Sequence, residues 1–213
     1  SYSVTGVQTC ALPILLSLAL GAGEVKMIEL ASAYTTFANL GERAEINPVL
    51  EITDYMGETV YVKEDKRETV IPSEVAFLIN ETLSDDVARR LVFSPGSLLN
   101  ISGKKVAVKT GTTNNLRDNW CIGWTPSYLV ASWVGNNDNS PMSWVASGIS
   151  GATPIWHKIM SAVLEGRENE TWDVPSGIQK VNVCGKEEYL ISGQELSTDC
   201  FWLTPSPRNE LVE

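Results

Sequence analysis

The segment Lys104 to Asn137 constrains this chain more than any other. It reads KKVAVKT, a polar break, NWCIGWTP and SYLVASWVGNN: three runs rich in β-branched and aromatic residues, bounded by turn formers, as strands are. Only Thr125-Pro126-Ser127 separates the last two. A parallel crossover needs a dozen or more residues, whereas a tight turn joins antiparallel neighbours. The segment therefore predicts an antiparallel meander, and the rest of the chain has to cover its faces.

Helical patterning supplies that cover. Val25, Ile28, Leu30, Ala31, Tyr34, Phe37 and Ala38 recur at three- and four-residue spacing until Gly41 stops the run. PSEVAFLINETLSDDVARRLVF, residues 72–93, returns to the same period, with Ser73 as the expected N-cap and Pro95-Gly96 as its end. Between these two, NPVLEITDYMGETVYVKE alternates around Met56-Gly57 and predicts a hairpin. Asn136 to Gly151, rich in Asn, Ser and Gly, predicts a loop. Thr153-Pro154 then predicts a helix start, threonine capping free N–H groups and proline suiting the first helical position. Ile155, Trp156, Ile159, Met160 and Val163 form its expected buried stripe, and Gly166 closes it. From residue 167 to 213 the composition turns polar, with Pro175, Pro205 and Pro207, and predicts a small β-rich extension.

With 43% apolar residues over 213 positions, the chain can bury the core of one ordinary domain and an appendage. Sixteen basic against 26 acidic residues give a net charge of −10, which excludes a nucleic-acid or anionic-membrane surface, since phosphates need a positive field. No apolar run reaches the 18 residues of a membrane span, so any membrane anchor is expected outside this chain. ALPILLSLALGAG, residues 11–23, looks like the apolar part of a secretory signal but lacks the preceding basic residues. Val4 to Ile14 resembles the in-frame translation of a common sequencing-library adapter, so residues 1–14 are set aside as a non-native scar. Cys121 falls in an apolar strand pattern and reads as a small core residue. Cys184 and Cys200 flank a short polar segment; a disulfide there is worth about 3 kcal/mol, and two unpaired thiols are the alternative.

The chemistry concentrates in VAVKTGTTN, residues 106–114, where a strand runs into a lysine and then into hydroxyls around a glycine. At a strand end beside a cleft, Lys109 supplies a positive field, and the hydroxyls of Thr110 and Thr112 can hold a carboxylate. Gly111, without a Cβ, lets a ligand lie against the strand. The Thr112 backbone N–H can serve a developing oxyanion, and an edge strand can bind an extended peptide through main-chain bonds.

These residues resemble the transpeptidase domain of the penicillin-binding proteins, most closely the class A type. Lys109-Thr110-Gly111 matches the Lys-Thr-Gly motif of serine active-site penicillin-interacting enzymes. LALGAGEVKMIELASAYTTFANLG, KTGTTNNLRDNWCIGWTPSYLVASWVGNND and SGATPIWHKIM resemble, in order, the segment ahead of that motif, the motif with its hairpin, and the closing helix. The resemblance covers most of residues 15–166 and implies an α/β fold of the serine β-lactamase and transpeptidase type. In it an antiparallel sheet is flanked by helices, with the N-terminal part of the domain missing. It implies Lys109 as catalytic and Thr110, Gly111 and Thr112 as substrate-binding, with neither metal nor organic cofactor. Its implied partners are peptidoglycan stem peptides ending in D-Ala-D-Ala and the β-lactams. The implied location is extracytoplasmic and membrane-anchored.

Two further motifs of that family, Ser-x-x-Lys opening a helix and Ser-x-Asn, have no counterpart in a suitable place. No Ser-x-Asn occurs, and Ser102-Gly103-Lys104-Lys105 lies in a turn just before the Lys109 strand. The nucleophile is therefore expected outside these residues, and the isolated chain is expected to be inert towards penicillin. A D,D-carboxypeptidase, a β-lactamase and a non-catalytic sensor share the motif and stay open. A phosphate loop is disfavoured because Val108 stands where the second glycine is required, and His157, the one histidine, reads as a packing or surface residue.

Overall fold

The computed structural model describes residues 23–90, 92–94, 96–142 and 150–195, with only the backbone of Asn114. The set-aside stretch 1–14, Cys200 and most of the segment after Gly193 lie outside the described residues.

The meander forms as its spacing requires. Strands β5 (Ala107–Thr112), β6 (Asp118–Trp124) and β7 (Leu129–Gly135) pair antiparallel in that order. Thr125 makes the β6–β7 turn, its N–H donating to Tyr128 O at 2.8 Å and its hydroxyl accepting from Tyr128 N at 3.1 Å. Because side chains alternate across a strand, the sheet has two apolar faces. Val106, Val108 and Cys121 meet Trp156, Met160 and Leu164 of α4 (Ala152–Leu164). Ala107, Ile122 and Trp124 face α1 (Met27–Ala38) and α2 (Ser73–Ser84), where Ala38 and Phe77 are buried. The result is helix, sheet, helix, with α4 on one side and α1 with α2 on the other.

One buried amide ties the second side together. Asn80 of α2 donates to Phe37 O at 2.7 Å and accepts from Trp124 Nε1 at 2.8 Å. Tyr34 packs edge-on against the same indole, ring centroids 5.1 Å apart. After α1 the chain turns at Gly41, whose φ of +99° and whose closeness to the Ile71 carbonyl both exclude a side chain.

Several details differ from expectation. Ile155 and Ile159 are not buried; they are 47% and 44% exposed. The sheet-facing row of α4 is Ala152, Trp156, Met160 and Leu164, and each isoleucine stands one residue, about 100°, round the helix from that row. Thr153 lies inside α4 rather than at its cap, and Pro72, not Ser73, holds the N-cap position of α2. The long helical segment breaks at Asp85, whose carboxylate accepts from Ala88 N at 2.9 Å and starts the separate turn α3 (Asp86–Arg89). An acceptor side chain competes here with continuation of the helix. The hairpin around Gly57 is present as β2 (Glu51–Thr53) and β3 (Thr59–Val62). A second pairing, β1 (Glu42–Ala44) with β4 (Arg67–Thr69), was not legible in the pattern.

Beyond Gly166 the chain returns across the sheet. Trp172 is buried and donates from Nε1 to Ala38 O at 3.0 Å. Hairpin β8 (Ile178–Val183) and β9 (Lys186–Ile191) sets Tyr189 edge-on to Phe77 at 5.0 Å. This segment shares the core of α1 and α2. Cys184 is disulfide-bonded, and its expected partner Cys200 is outside the described residues.

Candidate active site

Backbone pairing settles which groups of β5 are free. Thr113 N–H donates to Asp118 O at 3.0 Å, and the register runs unbroken from Thr112 opposite Asn119 to Ala107 opposite Trp124. In an antiparallel ladder the residues alternate between bonding inward and pointing away. Lys109 and Gly111 therefore direct their N–H and C=O groups at β6, and Val108, Thr110 and Thr112 direct theirs outward. Among the described residues no strand pairs with that outer edge. It presents main-chain donors and acceptors in the spacing an extended peptide can match.

The side chains of the motif divide between the two faces. Lys109 lies opposite Ile122, on the side of α1 and α2, and Thr110 lies opposite Cys121, on the side of α4. Lys109 is exposed, and no carboxylate of the described residues pairs with it. Its Nζ donates to the Thr110 carbonyl at 2.5 Å, on the open edge. The Thr110 hydroxyl has no hydrogen-bond partner among the described residues, and Gly111 leaves open space, since an added Cβ would meet only Trp120 Cβ at 3.8 Å. The four expected residues thus stand together as one wall carrying an ammonium, two hydroxyls, an outward N–H at Thr112 and a position without a side chain.

Neighbouring residues hold this wall in place. Asp118 accepts from Trp133 Nε1 at 2.9 Å and Arg117 donates to Asn139 O, so the two do not pair with each other. Trp120 leans towards Trp133, centroids 6.4 Å apart. Asn119, which pattern reading did not single out, is fully buried between Thr112 and the start of α4. Only the register reveals it, because a lone Asn in a strand pattern carries no sign of what it faces. Cys121, behind Thr110, has its thiol pushed up to about 12 by burial, against a hydrogen bond from Thr153 and the charge of Arg89.

Other sequence candidates are placed away from the wall. Ser102 is exposed in the turn containing Gly103, and His157 bonds through Nδ1 to Leu98 O at 2.8 Å on the outside of α4. A groove of about 720 Å³ lies between α1 and the β1–β4 pair and includes no motif residue. Among the described residues no His, Cys, Asp and Glu group could hold a metal, and no helix is long and apolar enough to cross a membrane.

Comparison with known proteins matches this geometry to a family. Residues 12–161 fit the penicillin binding protein transpeptidase domain. Penicillin-binding protein 1A of Neisseria meningitidis is 27% identical over 98% of this chain and 26% of its own length, so the chain spans about a quarter of the curated relatives it matches. The crystal structure of penicillin-binding protein 1A from Haemophilus influenzae superposes with a TM-score of 0.74 at 24% identity, over 85% of this chain and 34% of that one. Penicillin-binding protein A from Mycobacterium tuberculosis, solved as an imipenem acyl-enzyme complex, gives a TM-score of 0.53 at 22% identity, over 66% and 32%. Both superpositions speak for the fold. With the family match covering most of its length, this chain belongs to the penicillin-binding protein transpeptidase domain family.

Proposed function

We propose that this chain supplies one wall of the acyl-transfer site of a peptidoglycan D,D-transpeptidase, and that the attacking serine comes from sequence outside these 213 residues. The observation that carries the reading is the exposed Lys109 ammonium beside a strand edge that no described strand pairs. In the proposed reaction the serine oxygen bonds to the penultimate D-alanyl carbonyl of a stem peptide. The terminal D-alanine leaves as its amine, taking a proton, and an acyl-enzyme remains. An amine of a neighbouring stem then attacks that ester, releases the serine and completes the cross-link.

Each residue of the wall has a part in these steps. Lys109 provides the positive field that favours loss of the serine proton and participates in its relay. The outward N–H of Thr112 donates to the oxyanion. The hydroxyls of Thr110 and Thr112 hold the terminal carboxylate, and Gly111 admits the extended substrate. β-Lactams acylate the same serine, in keeping with the imipenem acyl-enzyme of the relative from Mycobacterium tuberculosis. The intact protein is extracytoplasmic and held to the membrane by a segment outside these residues. Within the chain, residues 15–166 are the transpeptidase part and 167–213 an extension.

A fluorescent penicillin tests the proposal on the full-length protein and on the isolated chain. The full-length protein is expected to take the label covalently, to lose it with Lys109→Ala, and the isolated chain to stay unlabelled. Label on the isolated chain would disprove the placement of the nucleophile. No label on the full-length protein would remove the transpeptidase reading altogether.

A further inference from the structure

We infer that Asn119 is a positioning residue, holding the Thr112 hydroxyl as an acceptor so that its proton is left for the carboxylate of the substrate. The inference rests on the proposed transpeptidase reading and adds a residue to it.

The polarity follows from the bonding of one amide. Asn119 is completely buried, and its Oδ1 accepts from the N–H of Ala152, the first residue of α4, at 2.6 Å. That bond fixes the amide orientation, because Oδ1 has to face the N–H and Nδ2 has to face away. Nδ2 then stands 3.2 Å from Thr112 Oγ1. An amide nitrogen only donates, while a hydroxyl has one proton and two lone pairs. Thr112 Oγ1 therefore accepts from Asn119, and its own proton points elsewhere. Thr112 is exposed on the outermost strand and makes no other side-chain hydrogen bond among the described residues. A carboxylate is an acceptor alone, so this is the hydroxyl orientation that a carboxylate-bearing substrate needs.

The packing shows that the amide cannot turn. No side chain of the Gly151 N-cap position serves α4, so Asn119 caps the helix from the neighbouring strand. Gly151 makes room for it, since an added Cβ there would lie 2.7 Å from Asn119 Oδ1 and 3.0 Å from Cγ. The start of α4, Gly151, Asn119 and Thr112 thus form a line from the core to the open edge of the sheet.

A double-mutant cycle on the full-length protein tests this, with acylation rates for a penicillin and for its methyl ester, whose carboxylate is masked. Loss of a hydrogen bond to a charged group slows acylation by about tenfold or more, so Thr112→Val is expected to do so with penicillin. Asn119→Ala is expected to slow penicillin several-fold and the ester by less than twofold. Adding it to Thr112→Val is expected to cause no further loss, because there is no hydroxyl left to orient. Asn119→Asp keeps the helix cap and guards against a folding defect: it is expected to slow penicillin in the wild-type background and to have no effect in the Thr112→Val background. Slowing by either Asn119 variant that adds in full to that of Thr112→Val, or that is equal for penicillin and ester, overturns the inference alone. Wild-type protein acylated by neither reagent overturns the transpeptidase reading and this inference with it.

Discussion

Replacing Gly111 by alanine separates what the fold needs at that position from what a bound substrate needs. Gly111 is exposed, its φ lies outside the left-handed region, and an added Cβ meets nothing nearer than Trp120 Cβ at 3.8 Å, an ordinary contact. The folded chain accommodates the methyl group. Restricting the unfolded chain then stabilises by about 0.4–1 kcal/mol, or about 1–4 °C in melting temperature for a chain of this size. Gly123, on the next strand, is the contrast. A Cβ there would stand 2.7 Å from Cε2 and 2.8 Å from Nε1 of the fully buried Trp156. The indole would have to move within a packed core, at about 1–3 kcal/mol. Thermal unfolding followed by near-ultraviolet circular dichroism, together with penicillin labelling of the full-length protein, distinguishes the two. Gly111→Ala is expected to keep or raise the melting temperature and to cut the labelling rate at least about tenfold, by analogy with the loss of a well-placed substrate contact. Gly123→Ala is expected to lower the melting temperature. If Gly111→Ala labels at the wild-type rate, or melts as early as Gly123→Ala, the idea that this glycine serves a ligand is wrong.

Three other expectations concern the core and the uncovered faces. Asn80→Ala strands the buried Trp124 Nε1, while the Phe37 carbonyl keeps the Leu40 N–H at 3.1 Å; at about 1–3 kcal/mol for one buried orphan, denaturant titration should show a loss of about 1–3 kcal/mol. The Cys121 thiol is held up to about 12 by burial, against an ordinary value of 9.0. The folded state keeps that proton while the unfolded state loses it, so stability is full below about pH 9 and falls as pH rises towards 12. The denaturation midpoint of wild type should drop through that window more steeply than that of Cys121→Ala. Ile155 and Ile159 are nearly half exposed on the outer side of α4, so Ile155→Glu with Ile159→Lys should change stability by no more than about 0.5 kcal/mol per site. Light scattering should show less association of the isolated chain, and unfolding of the double variant would contradict the assigned helix face.

Legibility in the sequence followed the range of the interactions involved. The meander was readable because strand period and a tight turn are local, and each narrows the pairing to one choice. The Lys109-Thr110-Gly111-Thr112 wall was readable for the same reason: four consecutive residues at a strand end need no long-range contact to stand together. The burial of α4 was only half readable. Apolar residues occupy positions 155, 156, 159 and 160 alike, and nothing local says which row meets the sheet. The cap of α4 was misread because Thr153-Pro154 fits the local pattern for a helix start, while the group that takes up the N–H comes from a strand 33 residues earlier.

The sequence by itself determined the antiparallel meander, the flanking helices and the chemical character of the residues at the end of β5, since each depends on periodicity and turn chemistry within a few residues. Tertiary structure alone decided that, among the described residues, the outer edge of β5 has no pairing strand and Lys109 no carboxylate partner. It alone decided that Asn119 links Thr112 to α4, and that the segment after Gly166 packs on α1 and α2. The physical reason is that register, free edges and buried hydrogen-bond partners are set by contacts between residues far apart in the chain, and hydrophobic burial, which drives those contacts, has no direction of its own.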